Sequence, residues 1–572
     1  MFNNGDRMIL QNNKNNKSSY TYTGSKTPLI WATIGDRLKH SAKKYSYNDA
    51  LVAVWRNERY SYEHFYKICR RAAKGLMHMG VKKGDRVGIL ATNYTEWVIT
   101  QFCTAMIGAV LVTINPALRE NEIEYILRDS ECQTLIFIEK FKSSKYIDMF
   151  YNIFPEAKKQ NPGKLFSYKF PKLKNVIILS QESSPGLYTS GDVLTYGKEV
   201  SNKEFIKREK ELDPDDIINI QYTSGTTGFP KGACLTHHNI VNNSYFVGEN
   251  MLFNHKDRLC IPVPLHHCFG MVLSNMLCVN YGATMVLPKE YFDPFSTLKA
   301  VEQERCTAIN GVPTMFIAQL EHPEFRTINL STLRTGIMAG APCPIELMRK
   351  VRKKMGIKDI TICYGLTEAS PVTNQTRHDE PVRIRVETVG RPLQHTEIKI
   401  INPDTGKVVS IGEQGEICVR GPQIMKGYHN KPEETKKTID QSKWLHTGDL
   451  GTIDEKGYCR ITGRLKNMII RGGENIYPRE IEECLYSNPD IVEVHVFGVS
   501  DKKFGEEIAA WVKKRDKSEL SEEDVKAFCR RRISHQKIPK YIKFVDNFPM
   551  TASGKIQKFR MKEVFTEELN IN

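Results

Sequence analysis

Hydrophobic residues follow two different periods along the first part of the chain, and the two periods alternate. Short continuous apolar runs at residues 87–91, 110–114 and 134–138 are typical of buried strands. Between residues 65 and 79 the apolar side chains recur instead at helix spacing, at Phe65, Ile68, Cys69, Ala72, Leu76 and Met79. This alternation predicts an α/β architecture with a largely parallel sheet.

An uncharged stretch at 97–114 has the length that a transmembrane helix needs. Thr100, Gln101 and Thr104 interrupt it with polar side chains, and Pro116 follows its end. We therefore predict a buried helix that runs into a buried strand, and no transmembrane segment.

Two regions are more polar than the rest. Residues 1–27 begin with a cluster of Asn and Lys, and we predict a disordered or targeting segment there. A secretory signal is not expected, because no apolar core follows the start, whereas a mitochondrial presequence stays open although Arg7 is the first arginine and Asp6 is acidic. Residues 140–200 are irregular in pattern, and we predict a surface excursion.

Composition adds little to this picture. A chain of 572 residues with 40% hydrophobic and 26% charged residues should hold more than one domain. The net charge of +16 suits anionic ligands such as nucleotides, CoA or acidic surfaces, and equally suits simple solubility. The basic residues are dispersed, so nucleic acid is not an expected partner. The 14 cysteines include no Cys-x-x-Cys pair, which predicts reduced core residues and no zinc site.

The candidate chemistry begins at residues 222–232, Tyr-Thr-Ser-Gly-Thr-Thr-Gly-Phe-Pro-Lys-Gly, which follow a strand-like run at 217–221. Glycines allow successive N–H groups to turn toward an anion, hydroxyls donate to phosphate oxygens, and Lys231 adds positive charge. The stretch is not a Walker A loop, because Pro230 precedes the lysine and Gly232 follows it. A solvated Ser/Thr/Gly loop is the alternative.

The stretch resembles the phosphate-binding signature of the adenylate-forming enzymes, which include acyl-CoA synthetases, luciferases and peptide-synthetase adenylation domains. Further segments resemble signatures of the same superfamily in the same order, at residues 264–270, 311–316, 339–342, 364–368, 444–449, 463–466, 471–478 and 549–555. Within the superfamily, segments 222–232, 471–478 and 533–541 are most similar to the medium-chain fatty acyl-CoA ligases of the group called acyl-CoA synthetase family member two.

The resemblance implies a large multi-sheet N-terminal domain of the acyl-CoA synthetase type at 28–462 and a small mobile α+β domain at 467–572. The segment 463–466 between them is the implied hinge, with Lys466 as the hinge residue. The implied function is an ATP-dependent, AMP-forming fatty acyl-CoA ligase, with ATP, Mg²⁺ and coenzyme A as cofactors or co-substrates.

The implied ATP-binding residues cluster in the signature motifs. Tyr364 is expected to stack on adenine, Thr367 to contact the α-phosphate, and Asp449 to accept both ribose hydroxyls with support from Arg464. The full implied set is Thr223, Ser224, Gly225, Thr226, Thr227, Gly228, Phe229, Pro230, Lys231, Gly340, Ala341, Pro342, Tyr364, Gly365, Thr367, Asp449, Arg464 and Lys555. His446 stands before the Thr-Gly-Asp run, where an aromatic residue is commoner in the family.

Other roles follow from the same resemblance. Lys555, Glu368 and His267 are the implied catalytic residues, and Glu368 with Thr223 is the implied Mg²⁺ site, since hard carboxylate and hydroxyl oxygens suit a hard cation. Gly472 and Gly473 are implied to face the CoA arm. The implied acyl pocket consists of His267, Phe269, Val312, Met315 and Gly340.

Two other functions stay open at this point. One is an adenylating enzyme with a non-CoA acceptor, which the absence of a carrier domain after Lys555 disfavours. The other is a non-catalytic nucleotide-binding protein, which the intact Lys555, Glu368 and Asp449 disfavour. The resemblance implies the mitochondrial matrix, with the cytoplasm as the alternative. Acyl chain length and oligomeric state do not follow from the sequence.

Overall fold

The computed structural model describes residues 18–223, 230–341, 343–471, 474–501, 503–551 and 556–568. The first elements along the chain are β1 (Tyr20–Thr23), α1 (Ile34–Lys44), β2 (Asp49–Ala53), β3 (Glu58–Ser61), α2 (Tyr62–His78), β4 (Arg86–Leu90), α3 (Thr95–Ile107), β5 (Val110–Thr113), α4 (Glu120–Asp129), β6 (Thr134–Phe137), β7 (Lys140–Phe141), β8 (Ser144–Lys145), α5 (Tyr146–Ile153), β9 (Asn175–Ile178), β10 (Tyr188–Thr189), α6 (Ser190–Tyr196) and α7 (Asn202–Lys210).

The middle of the chain carries β11 (Ile217–Thr223), β12 (Lys231–Thr236), α8 (His237–Asn250), β13 (Arg258–Cys260), α9 (Cys268–Gly270), α10 (Leu277–Tyr281), β14 (Thr284–Leu287), α11 (Pro294–Gln303), β15 (Ala308–Gly311), α12 (Pro313–Leu320), β16 (Thr335–Met338), α13 (Ile345–Lys354), β17 (Asp359–Gly365), β18 (Val372–Gln375), α14 (Val382–Glu387), β19 (Arg391–Pro392), β20 (Thr396–Ile401), β21 (Gly415–Arg420), β22 (Gly427–Tyr428), α15 (Pro432–Thr438), β23 (Leu445–Ile453) and β24 (Cys459–Arg464). The last elements are β25 (Ile469–Arg471), β26 (Glu474–Ile476), α16 (Pro478–Tyr486), β27 (Ile491–Asp501), β28 (Gly505–Lys514), α17 (Glu522–Arg530), β29 (Tyr541–Phe544) and α18 (Lys558–Glu568).

The first large sheet has eight strands in the order β10-β9-β6-β4-β5-β11-β12-β22. The neighbours from β10 to β11 pair in parallel, and the last two pairs are antiparallel. Strands β4, β5 and β6 match the predicted apolar runs, and α3 with β5 accounts for the uncharged stretch at 97–114. The parallel α/β prediction is confirmed for this sheet.

The second large sheet has nine strands in the order β19-β18-β17-β16-β15-β13-β14-β2-β3. Its centre, from β17 to β2, is parallel, and the edge pairs are antiparallel. Buried parallel strands need helices on both faces, because both faces are apolar. Helices α2, α3 and α8 contribute to one core, and α11 and α13 contribute to a second core.

A five-stranded antiparallel sheet, in the order β1-β20-β21-β23-β24, completes the large N-terminal part. Its edge strand corrects one prediction, because Tyr20–Thr23 pairs with β20 and is therefore not disordered. The alternation of exposed Tyr and buried Thr in this segment is typical of a strand. The pattern is only four residues long and follows a cluster of Asn and Lys that is typical of disorder. Residues 1–17 lie outside the described residues.

The region 140–200 also differs from the predicted surface excursion. Strand β9 lies inside the eight-stranded sheet, between β6 and β10, and all four of its residues are buried. Only four residues long and surrounded by polar sequence, it gives too short a pattern to stand out.

The C-terminal part forms its own sheet, in which β26, β25, β28 and β27 follow one another and β29 pairs with β28. Helices α16 and α17 pack on one apolar cluster, and α18 packs on another that contains Phe497 and Trp511. This is the predicted small α+β part of the fold. All 14 cysteines are free thiols and 13 of them are buried, as predicted for a reduced core. A helix that combines the length and the hydropathy required to cross a bilayer does not occur in the described ranges.

Candidate active site

The predicted phosphate stretch begins and ends on the antiparallel strands β11 and β12. Thr223 pairs with Lys231 in this hairpin, and the Thr223 hydroxyl donates to the Lys231 carbonyl oxygen at 3.4 Å. Of the ATP-binding residues predicted in this stretch, Thr223, Pro230 and Lys231 are described, whereas Ser224, Gly225, Thr226, Thr227, Gly228 and Phe229 lie outside the described residues. Helix α8 begins directly after β12, because Thr236 and Asn239 form a reciprocal capping box.

Helix α4 holds both ends of the phosphate stretch. The Tyr222 hydroxyl donates to Asp129 Oδ2 at 2.7 Å, and the Tyr125 hydroxyl donates to the Pro230 carbonyl oxygen at 3.1 Å. Lys431 Nζ donates to the other Asp129 oxygen at 3.1 Å. Burial raises the pKa of Tyr222, so the phenol stays a donor. Sequence reasoning missed Asp129 and Tyr125, because 93 and 105 residues separate them from their partners.

Lys231, the predicted phosphate cation, is already paired with a carboxylate. Its Nζ forms an ion pair with Glu434 on α15 and lies 5.3 Å from the centre of the Tyr428 ring. Lys437 also donates to Glu434, at 2.9 Å. The hydrogen bond from Lys231, followed by that from Lys437, lowers the pKa of Glu434 to about 2. Glu434 therefore stays ionised and occupies Lys231 with a negative charge, as a phosphate would.

Glu368, the predicted Mg²⁺ ligand, lies with Thr367 in a short 3₁₀ turn after β17. The Tyr428 hydroxyl donates to Glu368 Oε1 at 2.7 Å. Both residues are partly exposed, and the bond orients a carboxylate whose second oxygen is chemically suited to a hard cation. Tyr428, Lys431 and Glu434 thus come from one short segment, 427–438, which contacts three separate parts of the site.

The predicted adenosine residues come together at the ends of different sheets. The Tyr364 hydroxyl donates to Asp449 Oδ2 at 2.9 Å, and Arg464 Nε lies 2.9 Å from Asp449 Oδ1. Asp449 and Arg464 are cross-strand partners on β23 and β24, which explains their meeting. Gly365, which follows Tyr364, packs closely against the backbone of Pro371. A Cβ atom on residue 365 would lie 1.8 Å from the Pro371 carbonyl oxygen, so this position requires glycine.

The segment predicted to pass along adenine follows strand β16. Gly340 has a φ angle of 86°, a conformation that glycine adopts without strain. It is exposed, and Ala341 beside it is half-buried, while Pro342 lies outside the described residues. The positive φ alone explains why glycine is present, so its predicted role in the acyl pocket stays a prediction.

Three of the other predicted acyl-pocket residues, Phe269, Val312 and Met315, belong to or pack against one apolar cluster. Val312 precedes α12 and Met315 lies on it; both are buried in the main core, and Phe269 packs against the same core. His267 begins α9, and its ring centre lies 4.5 Å from that of His266. His266 is the more buried of the two, and burial lowers its pKa to about 3, so His266 is neutral.

A π-helical turn, Met271–Met276, follows α9 and carries a polar network that the sequence did not predict. Gln101 donates to the Met271 carbonyl oxygen at 2.9 Å and accepts a bond from Asn275 at 2.8 Å. Asn310 on β15 donates to the Ser274 hydroxyl at 3.1 Å. Such turns leave backbone groups displaced from the regular helix pattern, and these buried amides tie the turn to α3 and β15.

The C-terminal candidates are described only in part. Lys466, the predicted hinge residue, lies in the 3₁₀ turn Leu465–Asn467 between β24 and β25. Gly472 and Gly473 fall between the paired residues Arg471 and Glu474 of the β25–β26 hairpin, outside the described residues. Lys555 also lies outside the described residues.

One group of described residues has the side-chain chemistry of a metal site, namely Glu416, Cys418 and His446. His446 Nδ1 lies 3.1 Å from Glu416 Oε2 and 3.6 Å from the Cys418 sulfur. Hydrogen bonds, first with Cys418 and then with Glu416, raise the pKa of His446 to about 10. The other Glu416 oxygen accepts from Gly448 N at 3.0 Å, next to Asp449. A protonated His446 therefore accounts for the group as a hydrogen-bonded support of the turn that carries Asp449.

Comparisons with known proteins agree with this geometry. The chain matches the family described as AMP-binding enzyme over residues 38–429 and its C-terminal domain family over residues 480–555. It is 51% identical over 544 residues to YngI of Bacillus subtilis (strain 168), a protein named as a candidate acyl-CoA synthetase. The match covers 95% of this chain and 99% of YngI.

Two further relatives extend the comparison. The chain is 41% identical to the medium-chain acyl-CoA ligase ACSF2, mitochondrial, of Danio rerio, over 97% of this chain and 92% of that protein. Its structure resembles the crystal structure of ATP-bound MatB from Rhodopseudomonas palustris with a TM-score of 0.81 and 28% identity, over 94% of this chain and 100% of MatB. The chain belongs to the AMP-binding, adenylate-forming enzyme family.

Proposed function

We propose that this protein is an AMP-forming fatty acyl-CoA ligase that acts on medium-chain acids. It joins a carboxylate to ATP as an acyl-adenylate with release of pyrophosphate, and then transfers the acyl group to CoA with release of AMP. The observation that carries the proposal is the contact of Tyr364, Asp449 and Arg464, which brings three predicted nucleotide motifs into one site. The identities of 51% and 41% to named acyl-CoA synthetases and ligases support it.

Adenylation requires two anions, the fatty carboxylate and ATP, to approach each other. The site must therefore hold positive charge and hydrogen-bond donors in place before the reaction. Lys231, the first residue of β12, carries a positive charge suited to the phosphates once its ion pair with Glu434 breaks. Lys555 is proposed as the second cation, contacting the carboxylate and the α-phosphate.

At the nucleoside end, the protein's own contacts fix the recognition groups. Asp449 is held by Tyr364 on one oxygen and Arg464 on the other, so its carboxylate has restricted freedom, and we propose that it faces the ribose. A carboxylate oxygen can accept more than one donor, so the two ribose hydroxyls can be added to these contacts. The Tyr364 ring then stacks on the base.

Glu368 and Thr223 are proposed to hold Mg²⁺. The donor set fits, because Glu368 is a partly exposed carboxylate already oriented by Tyr428, and Thr223 ends β11 beside the phosphate stretch. When bound, the cation neutralises negative charge on the phosphates. The protein's part is to present these oxygens and to hold them still.

The acyl tail is proposed to lie against Phe269, Val312 and Met315, with His267 near the carboxylate. The last two pocket residues belong to one buried apolar cluster that Phe269 packs against, and an apolar wall stabilises a hydrocarbon tail by about 0.8 kcal/mol for each buried methylene. For the thioester step, the C-terminal part is proposed to rotate about Lys466, which removes Lys555 and presents Gly472 and Gly473 to the CoA arm.

The mitochondrial matrix is proposed as the compartment, in line with the name of the Danio rerio relative, and the cytoplasm is the alternative. Fractionation of cells that express the full chain distinguishes the two.

Product analysis tests the proposed reaction. Purified protein with ATP, Mg²⁺, CoA and octanoate or decanoate should yield AMP, pyrophosphate and an acyl-CoA thioester in equal amounts. Formation of ADP, or no turnover with any straight-chain acid from C4 to C16, would contradict the proposal.

A further inference from the structure

The segment between α5 and β9 is strongly basic. Residues 158–174 contain six lysines, and there is no Asp or Glu between Ala157 and Gln181. The six lysines are all exposed, and they are Lys158, Lys159, Lys164, Lys169, Lys172 and Lys174. Lys169 pairs with Glu124 at 2.6 Å, whereas Lys159, Lys164, Lys172 and Lys174 form no ion pair within the described ranges. The segment therefore presents four exposed lysines that have no ion-pair partner among the described residues.

Two aromatic rings project from the middle of the same segment. Phe166 is 55% exposed and Tyr168 is 93% exposed, and their ring centres lie 5.0 Å apart in an edge-to-face arrangement. Their neighbours point inward, since Leu165 and Phe170 are buried in the main core. The outward position of the rings is thus fixed by alternation along an anchored backbone.

The Gln160 side chain strengthens this anchoring. It accepts a bond from Phe166 N at 2.6 Å and donates one to the Phe166 carbonyl oxygen at 3.0 Å. Both backbone polar groups of Phe166, the N–H and the carbonyl oxygen, are therefore hydrogen-bonded to the Gln160 side chain. An ordered segment that displays two adjacent aromatic rings among lysines is suited to a partner that is both apolar and anionic.

We propose that this basic aromatic segment, residues 158–174 with the six exposed lysines, Phe166 and Tyr168, docks on the surface of an anionic phospholipid bilayer. Lysines near such a surface are attracted to acidic headgroups, and aromatic rings with a polar tip favour the interfacial layer. A bilayer fits better than a nucleic acid, because the two rings contact each other edge to face and do not offer the parallel faces on which successive bases stack. The inference does not depend on the ligase activity.

Liposome sedimentation with the full chain tests the proposal. Vesicles of phosphatidylcholine with about a third phosphatidylserine should bind the protein at low salt, and pure phosphatidylcholine vesicles should not. Raising NaCl to about 0.5 M should release most of the protein, because screening shortens the reach of the lysine charges to a few ångströms.

Two variants and their matched controls separate the contributions. Reversing Lys159, Lys164, Lys172 and Lys174 to Glu should weaken binding at least about 100-fold, since each lysine contributes several-fold. Reversing four other exposed lysines to Glu, namely Lys203, Lys207, Lys353 and Lys354, changes the net charge equally and should have a much smaller effect.

The rings are tested in the same way. Phe166→Ser combined with Tyr168→Ser should weaken binding several-fold, whereas Tyr47→Ser should not, although Tyr47 is 90% exposed. All variants should give the far-UV circular dichroism spectrum of the wild type, which shows that they fold. Equal liposome binding by the lysine variant and its control would overturn the proposal. So would binding of single-stranded RNA that requires the same lysines, with no binding to anionic vesicles.

Discussion

The tether between Tyr222 and Asp129 offers a sharp test of how the fold positions the phosphate stretch. Tyr222→Phe removes one hydroxyl, which donates to a carboxylate oxygen at 2.7 Å in a partly buried place. Hydrogen bonds to charged groups contribute about 1.5 to 3 kcal/mol, and Asp129 keeps its bond from Lys431, so the lower end applies. We expect a loss of about 1.5 kcal/mol, which corresponds to roughly a tenfold lower kcat/KM for ATP.

The expected loss should fall on KM for ATP and leave kcat nearly unchanged, because the hydrogen bond from Tyr222 to Asp129 supports the proposed ATP-binding residues and involves none of the proposed catalytic residues. A double-mutant cycle with Asp129→Ala isolates the pair: once the acceptor carboxylate is removed, Tyr222→Phe should have little further effect. Tyr151→Phe is the matched control, because it likewise removes one hydrogen-bonding hydroxyl. The Tyr151 hydroxyl donates to the Pro185 carbonyl oxygen at 2.9 Å on the exposed surface. Additive effects, with a coupling energy below about 0.3 kcal/mol, would refute the tether.

Three further predictions concern other parts of the site. Tyr428→Phe frees the proposed metal carboxylate and should raise the Mg²⁺ concentration for half-maximal rate several-fold, and an unchanged Mg²⁺ curve would contradict this. His446 has a pKa raised to about 10, so its contribution to the free energy of unfolding should be complete below pH 6.5 and lost as the pH rises through 10. Urea unfolding at pH 6, 8 and 10 should therefore show a difference in free energy of unfolding between the wild type and His446→Gln that shrinks as the pH rises. Lys555→Ala should abolish adenylation but spare thioester formation from supplied acyl-adenylate, and Gly473→Leu should do the reverse. Equal loss of both steps in both variants would contradict a mechanism in which the C-terminal part adopts one conformation for each step.

The sequence predicted those features that depend on local pattern. The runs at 87–91, 110–114 and 134–138 are strands because continuous apolar sequence suits a sheet covered on both faces. The resemblance of the motifs to those of the family predicted that Tyr364, Asp449 and Arg464 would serve one nucleoside, and the three side chains are in contact.

The sequence did not reveal the residues that act at long range. Asp129, Tyr428 and Glu434 contact motif residues that are 93, 60 and 203 positions away, and no local signal connects them. Gly340 shows the opposite difficulty. Its predicted role came from position alone, but its φ of 86° means that a β-branched residue would be strained for every substrate.

Exchange of radiolabelled pyrophosphate into ATP, measured without CoA, tests the central claim most directly. If the protein forms an acyl-adenylate, exchange should depend on Mg²⁺ and on a fatty acid, should be strongest among straight-chain acids for octanoate or decanoate, and should be lost in Lys555→Ala. Exchange that proceeds equally without any acid, or an acid-dependent turnover of ATP in which no label enters ATP, would contradict the adenylate mechanism.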